Sequence, residues 1–224
     1  MDIKWLESEE LEALASKILE RQQPKALVCP QEIDILKLIK VACKNLNYEF
    51  AAYPLPKKGE LKALGCVDTK NKKLLLDMDM LREAAVCNRW MFVAAHELGH
   101  LLLHRRYFEN GQTPYDSSEI ENGFRQDNQL EWQANRFASE LLLPREMVNV
   151  VVMASSARLH ITRNIGKIYV DGQECNYEIL NNIKMDISTI FSVSKAVAEI
   201  RLKELNIIID ARPKNSCSKI GDIL

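Results

Sequence analysis

The stretch FVAAHELGHLLLH, residues 92–104, sets three histidines at four-residue intervals, and one glutamate, into a run that is otherwise almost wholly apolar. Its length and the absence of proline predict a helix. At about 100° per residue, with His96 at zero, Glu97 falls near 100°, His100 near 40° and His104 near 80°, so one flank carries all four polar side chains. Phe92, Val93, Ala94, Ala95, Leu98, Leu101 and Leu102 clothe the remainder, which is the pattern of an interior helix rather than a surface one. Imidazole and carboxylate groups left unpartnered in an interior are costly. The fold must therefore bring that flank against something that uses them.

A divalent metal ion meets the requirement. Two imidazoles one turn apart, His96 and His100, can both ligate it, while Glu97 beside the first reaches the attacking water; this is the HExxH arrangement of zinc peptidases. His104 lies eight residues beyond His96, about 12 Å of helix rise, too far to share the ion, and is expected behind the ligands or at the surface. A catalytic zinc usually takes three protein ligands and keeps one position open, so a third donor is expected C-terminal to His100. Glu109, Asp116, Glu119, Glu121, Asp127 and Glu131 are the acids at hand. Of these, only Glu131 begins a helix with a small inner face, because Ala134, Asn135 and Ala138 follow it at three, four and seven residues. That helix can approach the HExxH helix closely and hold its carboxylate at the metal, with Asn135 one turn on to orient a ligand from behind. Zn2+ is the expected ion, with another divalent metal such as Mn2+ as the alternative.

Around this centre the periodicity changes twice. Ser8 followed by Glu9 and Glu10 opens a helix carrying Leu11, Leu14 and Ile18, closed by Pro24. A second is expected from near Pro30, with Ile35, Leu38, Ile39, Ala42, Cys43 and Leu46 as its buried stripe. Residues 48–79 then break into short apolar runs, YEFAAYPL, LKALGCV and KKLLLDMD, separated by PKKGE and DTKNK, which reads as two or three strands joined by polar turns. Residues 105–130 lose the apolar pattern and read as a long loop, expected to be mobile or to border the cleft. LEWQANRFASELLLP is helical up to Pro144, and REMVNVVVMA a further short helix. KIYVDGQECNYEIL carries Asp171-Gly172 between strand-like runs and reads as a hairpin. DISTIFSVSKAVAEIRLKELNIII reads as two short helices about a turn. The expected class is α+β: a small, mainly antiparallel sheet packed on the HExxH helix, the Glu131 helix across it, and a helical C-terminal segment.

Composition excludes little else. Lys+Arg 30 against Asp+Glu 31 leaves no global field to draw nucleic acid or anionic lipid. No stretch approaches 18 uninterrupted apolar residues, and MDIKWLESEELEAL lacks the basic-then-apolar order of a signal peptide. The six cysteines are widely spaced with no CxxC and read as reduced core thiols, so a cytoplasmic protein without a membrane partner is expected. A rival reading makes TIFSVSKAVAEIRLKEL a DNA- or partner-binding element and the metal structural, on the strength of Lys195, Arg201 and Lys203. Glu199 and Glu204 lie among those bases, Val193, Val197, Ile200, Leu202 and Leu205 are spaced to pack on the core, and a structural zinc needs a fourth ligand that is not evident. Direct nucleic-acid binding is not expected.

RWMFVAAHELGHLLLH followed by EWQANRFASELLLP resembles the ImmA/IrrE family of bacterial and phage metallopeptidases, a gluzincin-type group whose third ligand is a Glu in an ExxA(D/N) helix. The resemblance covers roughly residues 30–155, and FSVSKAVAEIRLKEL is similar to the helical segment, here about 183–206, that often follows the family's core. It implies a single metallopeptidase domain over 1–224, His96, His100 and Glu131 as zinc ligands, and Glu97 as catalytic base. Asn135 and, further back, His104 would support the ligands. The implied substrate is narrow, typically a helix-turn-helix repressor of a mobile element or stress regulon. The sequence departs from the family in its long 105–130 segment, in the apparent hairpin insertion, and in Asn135, where many relatives have Asp. His104, Tyr107, Tyr115, His160 and Tyr169 all remain open as the side chain that stabilises the oxyanion.

Overall fold

The computed structural model describes residues 5–55, 57–58, 61–62, 64–82, 88–109, 125–162, 166–171 and 173–211. Helix α1 (Ser8–Gln22) begins at the expected serine, with Glu7 as its cap: the Glu7 and Glu10 side chains and backbones bond reciprocally, so two of the free amides of the first turn are satisfied. Its buried stripe is Leu11, Ala15 and Leu19. Helix α2 (Ile35–Leu46) starts five residues later than the proline suggested, because the Asp34 carboxylate accepts the Lys37 amide at 2.9 Å and is the better cap. It ends at Asn47, whose φ of 57° turns the chain into the sheet.

The strand-like region yields β1 (Glu49–Tyr53), the two-residue pair β2 (Lys57–Lys58) and β3 (Leu61–Lys62), then β4 (Gly65–Asp68) and β5 (Lys73–Asp77). The main sheet is ordered β1-β5-β4. It is mixed: β4 and β5 form an antiparallel pair, Val67 opposite Leu74, while β1 runs parallel to β5, Phe50 beside Leu74. Alternation along β5 buries Leu74 and Leu76 and along β4 buries Gly65 and Val67, which gives the sheet one face towards the core. The short α3 (Met78–Arg82) is capped by Asp77, buried, whose carboxylate accepts the Met80 and Leu55 amides.

Next comes α4 (Arg89–Gly99), prolonged by a π-helical turn (His100–His104) and α5 (Arg105–Glu109). Helix α6 (Arg125–Leu142) packs across α4, and α1 packs on α6. The expected loop at 105–130 is thus helical at both ends, and its middle, 110–124, lies outside the described residues. After Pro144 caps it, α7 (Arg145–Arg158) is longer than the short helix expected. The observed class is α+β, with a small sheet beside the histidine helix and a helical C-terminal part.

The expected hairpin at 167–180 is not there. β6 (Ile168–Val170) pairs in parallel with β7 (Ile208–Asp210), nearly forty residues away, and α8 (Glu174–Phe191) follows at once. Asp171 is the reason: its carboxylate accepts the Gln173 amide at 2.8 Å and the Asn176 side-chain amide at 3.0 Å, so it starts a helix instead of closing a two-residue turn. The last helix, α9 (Lys195–Glu204), is capped by Ser194, and the turn between it and α8 is as anticipated, although α8 is not short. Of Cys29, Cys43, Cys66 and Cys175 only Cys43 is buried; Cys29 lies on an exposed bend and Cys175 is exposed in the first turn of α8, so core thiols describes one of these four.

Arg201 overturns one element of the rival reading. It is wholly buried, donates to the Leu143 carbonyl at 3.0 Å, and is paired through both terminal nitrogens with Glu140, itself 2% exposed. Arg136 joins the network by bridging Glu140 at 2.8 Å and Glu204 at 3.0 Å. Lys203 pairs with Glu199 at 2.7 Å. The basic residues of α9 that stood for a nucleic-acid contact are largely neutralised within the protein, and the Arg201 network binds α9 to α6.

Candidate metal centre

Helix α4 brings Met91, Ala94, Ala95 and Leu98 into the core, each 1% exposed or less. That packing drives the adjoining polar flank inward as well: Glu97 is 2% exposed and His100 not at all. His96 and His100 sit one turn apart with ring centroids 4.6 Å apart and planes at 69°, and their Nε2 atoms approach to 2.9 Å. Glu131 arrives from α6 with Oε2 at 3.3 Å from His96 Nε2 and Oε1 at 3.2 Å from His100 Nε2.

Close approach of the two helices makes this possible. Gly99 has no side chain where α6 crosses: a Cβ there would lie 3.1 Å from a Phe137 ring carbon and 3.3 Å from Ala134 Cα. Ala134 and Ala138, both fully buried, provide the small face that the spacing after Glu131 implied. A larger residue at position 99 would require the Phe137 ring or the α6 backbone at Ala134 to give way.

Asn135 faces the other side of His96, its Oδ1 3.0 Å from His96 Nδ1. An amide oxygen can only accept, so His96 Nδ1 carries the proton and its Nε2 presents a lone pair towards His100 and Glu131. Two imidazole nitrogens and a carboxylate thus converge, all within 4.8 Å of one another. Such donors repel unless a cation or shared protons lie between them. Two atoms each about 2.1 Å from one tetrahedral ion are about 3.4 Å apart, so separations of 2.9 to 3.3 Å suit a common zinc-sized ion. Glu131 Oε1 and Glu97 Oε2 are also buried without a well-formed hydrogen bond, which a bound cation and a bound water would relieve. The residues present fit the ion.

Burial would raise the Glu131 carboxyl, but the imidazoles of His100 and His96 outweigh it and bring it down to about 2. Burial pulls His100 down to about 4, so it is neutral and able to ligate. Glu97 goes the other way, pushed up to about 7 by burial first, with Glu131 adding and His96 opposing. Two carboxylates a few residues' reach apart are thereby separated in character, one permanently ionised and one able to exchange a proton near neutrality. Gly65 of β4 lies against Glu97 so tightly that a Cβ there would come within 2.4 Å of Glu97 Cγ and 2.7 Å of Oε1. The strand backbone therefore fixes the carboxylate from one side.

Of the other acids considered, Glu109 is engaged elsewhere, accepting the Tyr48 hydroxyl at 3.0 Å. Asp116, Glu119, Glu121, the Asp127 side chain and Tyr115 lie outside the described residues. His160 and Tyr169 are exposed, and Tyr107 packs edge-on to Phe108. His104 is buried behind His100, its Nδ1 3.0 Å from His100 Nδ1, on the side of that ring away from Nε2. It therefore faces a ligand's back and leaves the list of oxyanion partners. Sequence reasoning missed Gly65 and Gln133: Gly65 lies in no motif, Gln133 fills an unspecified position of the ExxA(D/N) signature, and only the folded chain brings them to Glu97 and His104.

Residues 87–203 match the family model described as the IrrE N-terminal-like domain of the M78 peptidases, slightly more than half of the chain. The match spans α4, α6 and both C-terminal helices. No curated protein matches the chain.

Proposed function

The chain belongs to the ImmA/IrrE family of metallopeptidases, and from that membership we propose that it is a zinc-dependent endopeptidase whose substrate is a helix-turn-helix transcriptional repressor. The observation that carries the reading is the convergence of His96, His100 and Glu131 on one point, with the buried Glu97 carboxylate beside it. These three side chains would hold the ion, leaving a coordination position free. The chemistry the ion supplies when bound is Lewis acidity, which polarises the scissile carbonyl and makes water a better nucleophile at neutral pH. Glu97 takes the proton of the attacking water and returns it to the departing amine. Asn135 fixes the His96 tautomer, and Gly65 keeps Glu97 from turning away.

The family gives the peptidase class; the repressor substrate rests on the resemblance of the two signatures to relatives that act on such proteins. Zinc-loaded full-length protein incubated with a helix-turn-helix repressor from the same genome is expected to cut it at one place and to stop when a chelator is added. Tight DNA binding at physiological salt with no metal-dependent cleavage of any such repressor would overturn the proposal.

Gly65→Ala is expected to retain zinc yet lower kcat/KM by about 100-fold, the usual cost of misplacing a catalytic group by about 1 Å. The added methyl must displace Glu97 or β4. Metal content and cleavage rate, measured on the same preparation, check this. A variant as active as the parent would show that the close approach of β4 is incidental.

A further inference from the structure

The last histidine of the series is unused by the chemistry above. His104 is 2% exposed and ends the π-helical turn that interrupts an otherwise α-helical run from Arg89 to Glu109. Turns of this kind are rare and recur at functional sites. Here the turn places His104 directly behind His100, Nδ1 to Nδ1 at 3.0 Å, with the Phe108 ring about equally close to both imidazoles at 6.2 and 6.4 Å.

Between two imidazole nitrogens at that distance, one must donate and the other accept. If His104 donated, the proton of neutral His100 would sit on Nε2, pointing into the space between His96 and Glu131. If His100 donates, its Nε2 presents a lone pair there. Only the second arrangement lets His100 ligate a cation. It moves the remaining proton of His104 to its own Nε2, which is buried and makes no well-formed hydrogen bond. Against it lies the carboxamide of Gln133, 1% exposed, whose Nε2 is also without a partner. The oxygen of that amide is the acceptor such a proton needs. Gln133 stands on α6 two residues after Glu131, so one helix supplies both the carboxylate and the end of the chain.

We propose that His104 is a positioning residue for His100: its Nδ1 accepts a hydrogen bond from His100 Nδ1–H, which fixes the tautomer that turns the His100 Nε2 lone pair to the ion, and its own Nε2–H donates to the Gln133 amide oxygen. The inference rests on the metallopeptidase reading. A neutral acceptor suits this place, because a carboxylate behind His100 would add a third buried negative charge beside Glu97 and Glu131.

The test uses the purified full chain and zinc alone. His104→Leu keeps the volume and removes the acceptor, while His104→Asn restores an oxygen near the position of Nδ1. Zinc affinity, read by chelator competition, is expected to fall about 10- to 100-fold in His104→Leu, with the metal-free melting temperature unchanged or higher, and to recover in His104→Asn. A packing role predicts the opposite: a lower metal-free melting temperature and unaltered affinity. A folded His104→Leu that binds zinc like the parent overturns the inference and leaves the peptidase reading standing. A parent that takes up no zinc overturns both. Should His104→Leu not fold, Gln133→Met reads the far end of the same chain, and an affinity equal to the parent's overturns the relay.

Discussion

Glu97→Gln is expected to lower repressor cleavage by roughly 1,000-fold, within the range a positioned general base contributes, while zinc content stays at that of the parent. The substitution preserves shape, and Glu97 Oε2 has no hydrogen bond to lose. It removes only the capacity to take a proton. Burial already disfavours the charged form of this side chain, holding its carboxyl up at about 7, so an amide in its place spares the fold the desolvation of a carboxylate. The metal-free variant should therefore melt no lower than the parent. A residue kept where it is unfavourable to folding and whose neutral isostere abolishes activity is serving chemistry, not structure. If Glu97→Gln cleaves at the parental rate, the base is another group.

Arg201→Met is expected to destabilise the protein by about 3 kcal/mol, at the lower end of the cost of breaking a buried pair, or by roughly 10 °C for a chain of this size. The guanidinium is wholly buried and is held by Glu140 and the Leu143 carbonyl; its loss leaves a buried carboxylate with Arg136 as its one strong partner. The double variant Arg201→Met, Glu140→Met should recover most of the loss, because exchanging a buried pair for apolar side chains of similar volume is often neutral. Urea denaturation of the three proteins decides it. A single variant within about 0.5 kcal/mol of the parent, the range of ordinary surface substitutions, would mean that the network contributes no more than an exposed pair does.

The parts of the fold written into local spacing were legible in the sequence. His96, Glu97 and His100 were fixed by one helical turn, and the small residues after Glu131 foretold that α6 could come close enough to bring its carboxylate to them. The strands at 48–79 showed as a change of period. What escaped depends on partners distant in sequence. Asp171-Gly172 looks like a hairpin turn, but the strand before it pairs with β7, and the aspartate instead holds the Gln173 and Asn176 amides at the entry to α8. Arg201 reads as a surface base until Glu140, sixty-one residues earlier, is seen to enclose it. His104 could be placed only as a supporting or surface residue, because ideal α-helical angles do not anticipate a π turn. The resemblance was drawn over roughly 30–155 with the helical segment of about 183–206 after it; the family match runs over 87–203, which takes in that segment and begins later.

Zinc affinity of Glu131→Gln beside that of Glu97→Gln tests the central claim most directly. Both exchange a carboxylate for an amide within the same few ångströms, so loss of charge alone cannot separate them. If His96, His100 and Glu131 hold the ion and Glu97 does not, chelator competition will find Glu131→Gln greatly weakened in zinc binding and Glu97→Gln like the parent. Glu97→Gln losing the metal while Glu131→Gln keeps both metal and cleavage would contradict the assignment and place the third ligand elsewhere in the chain.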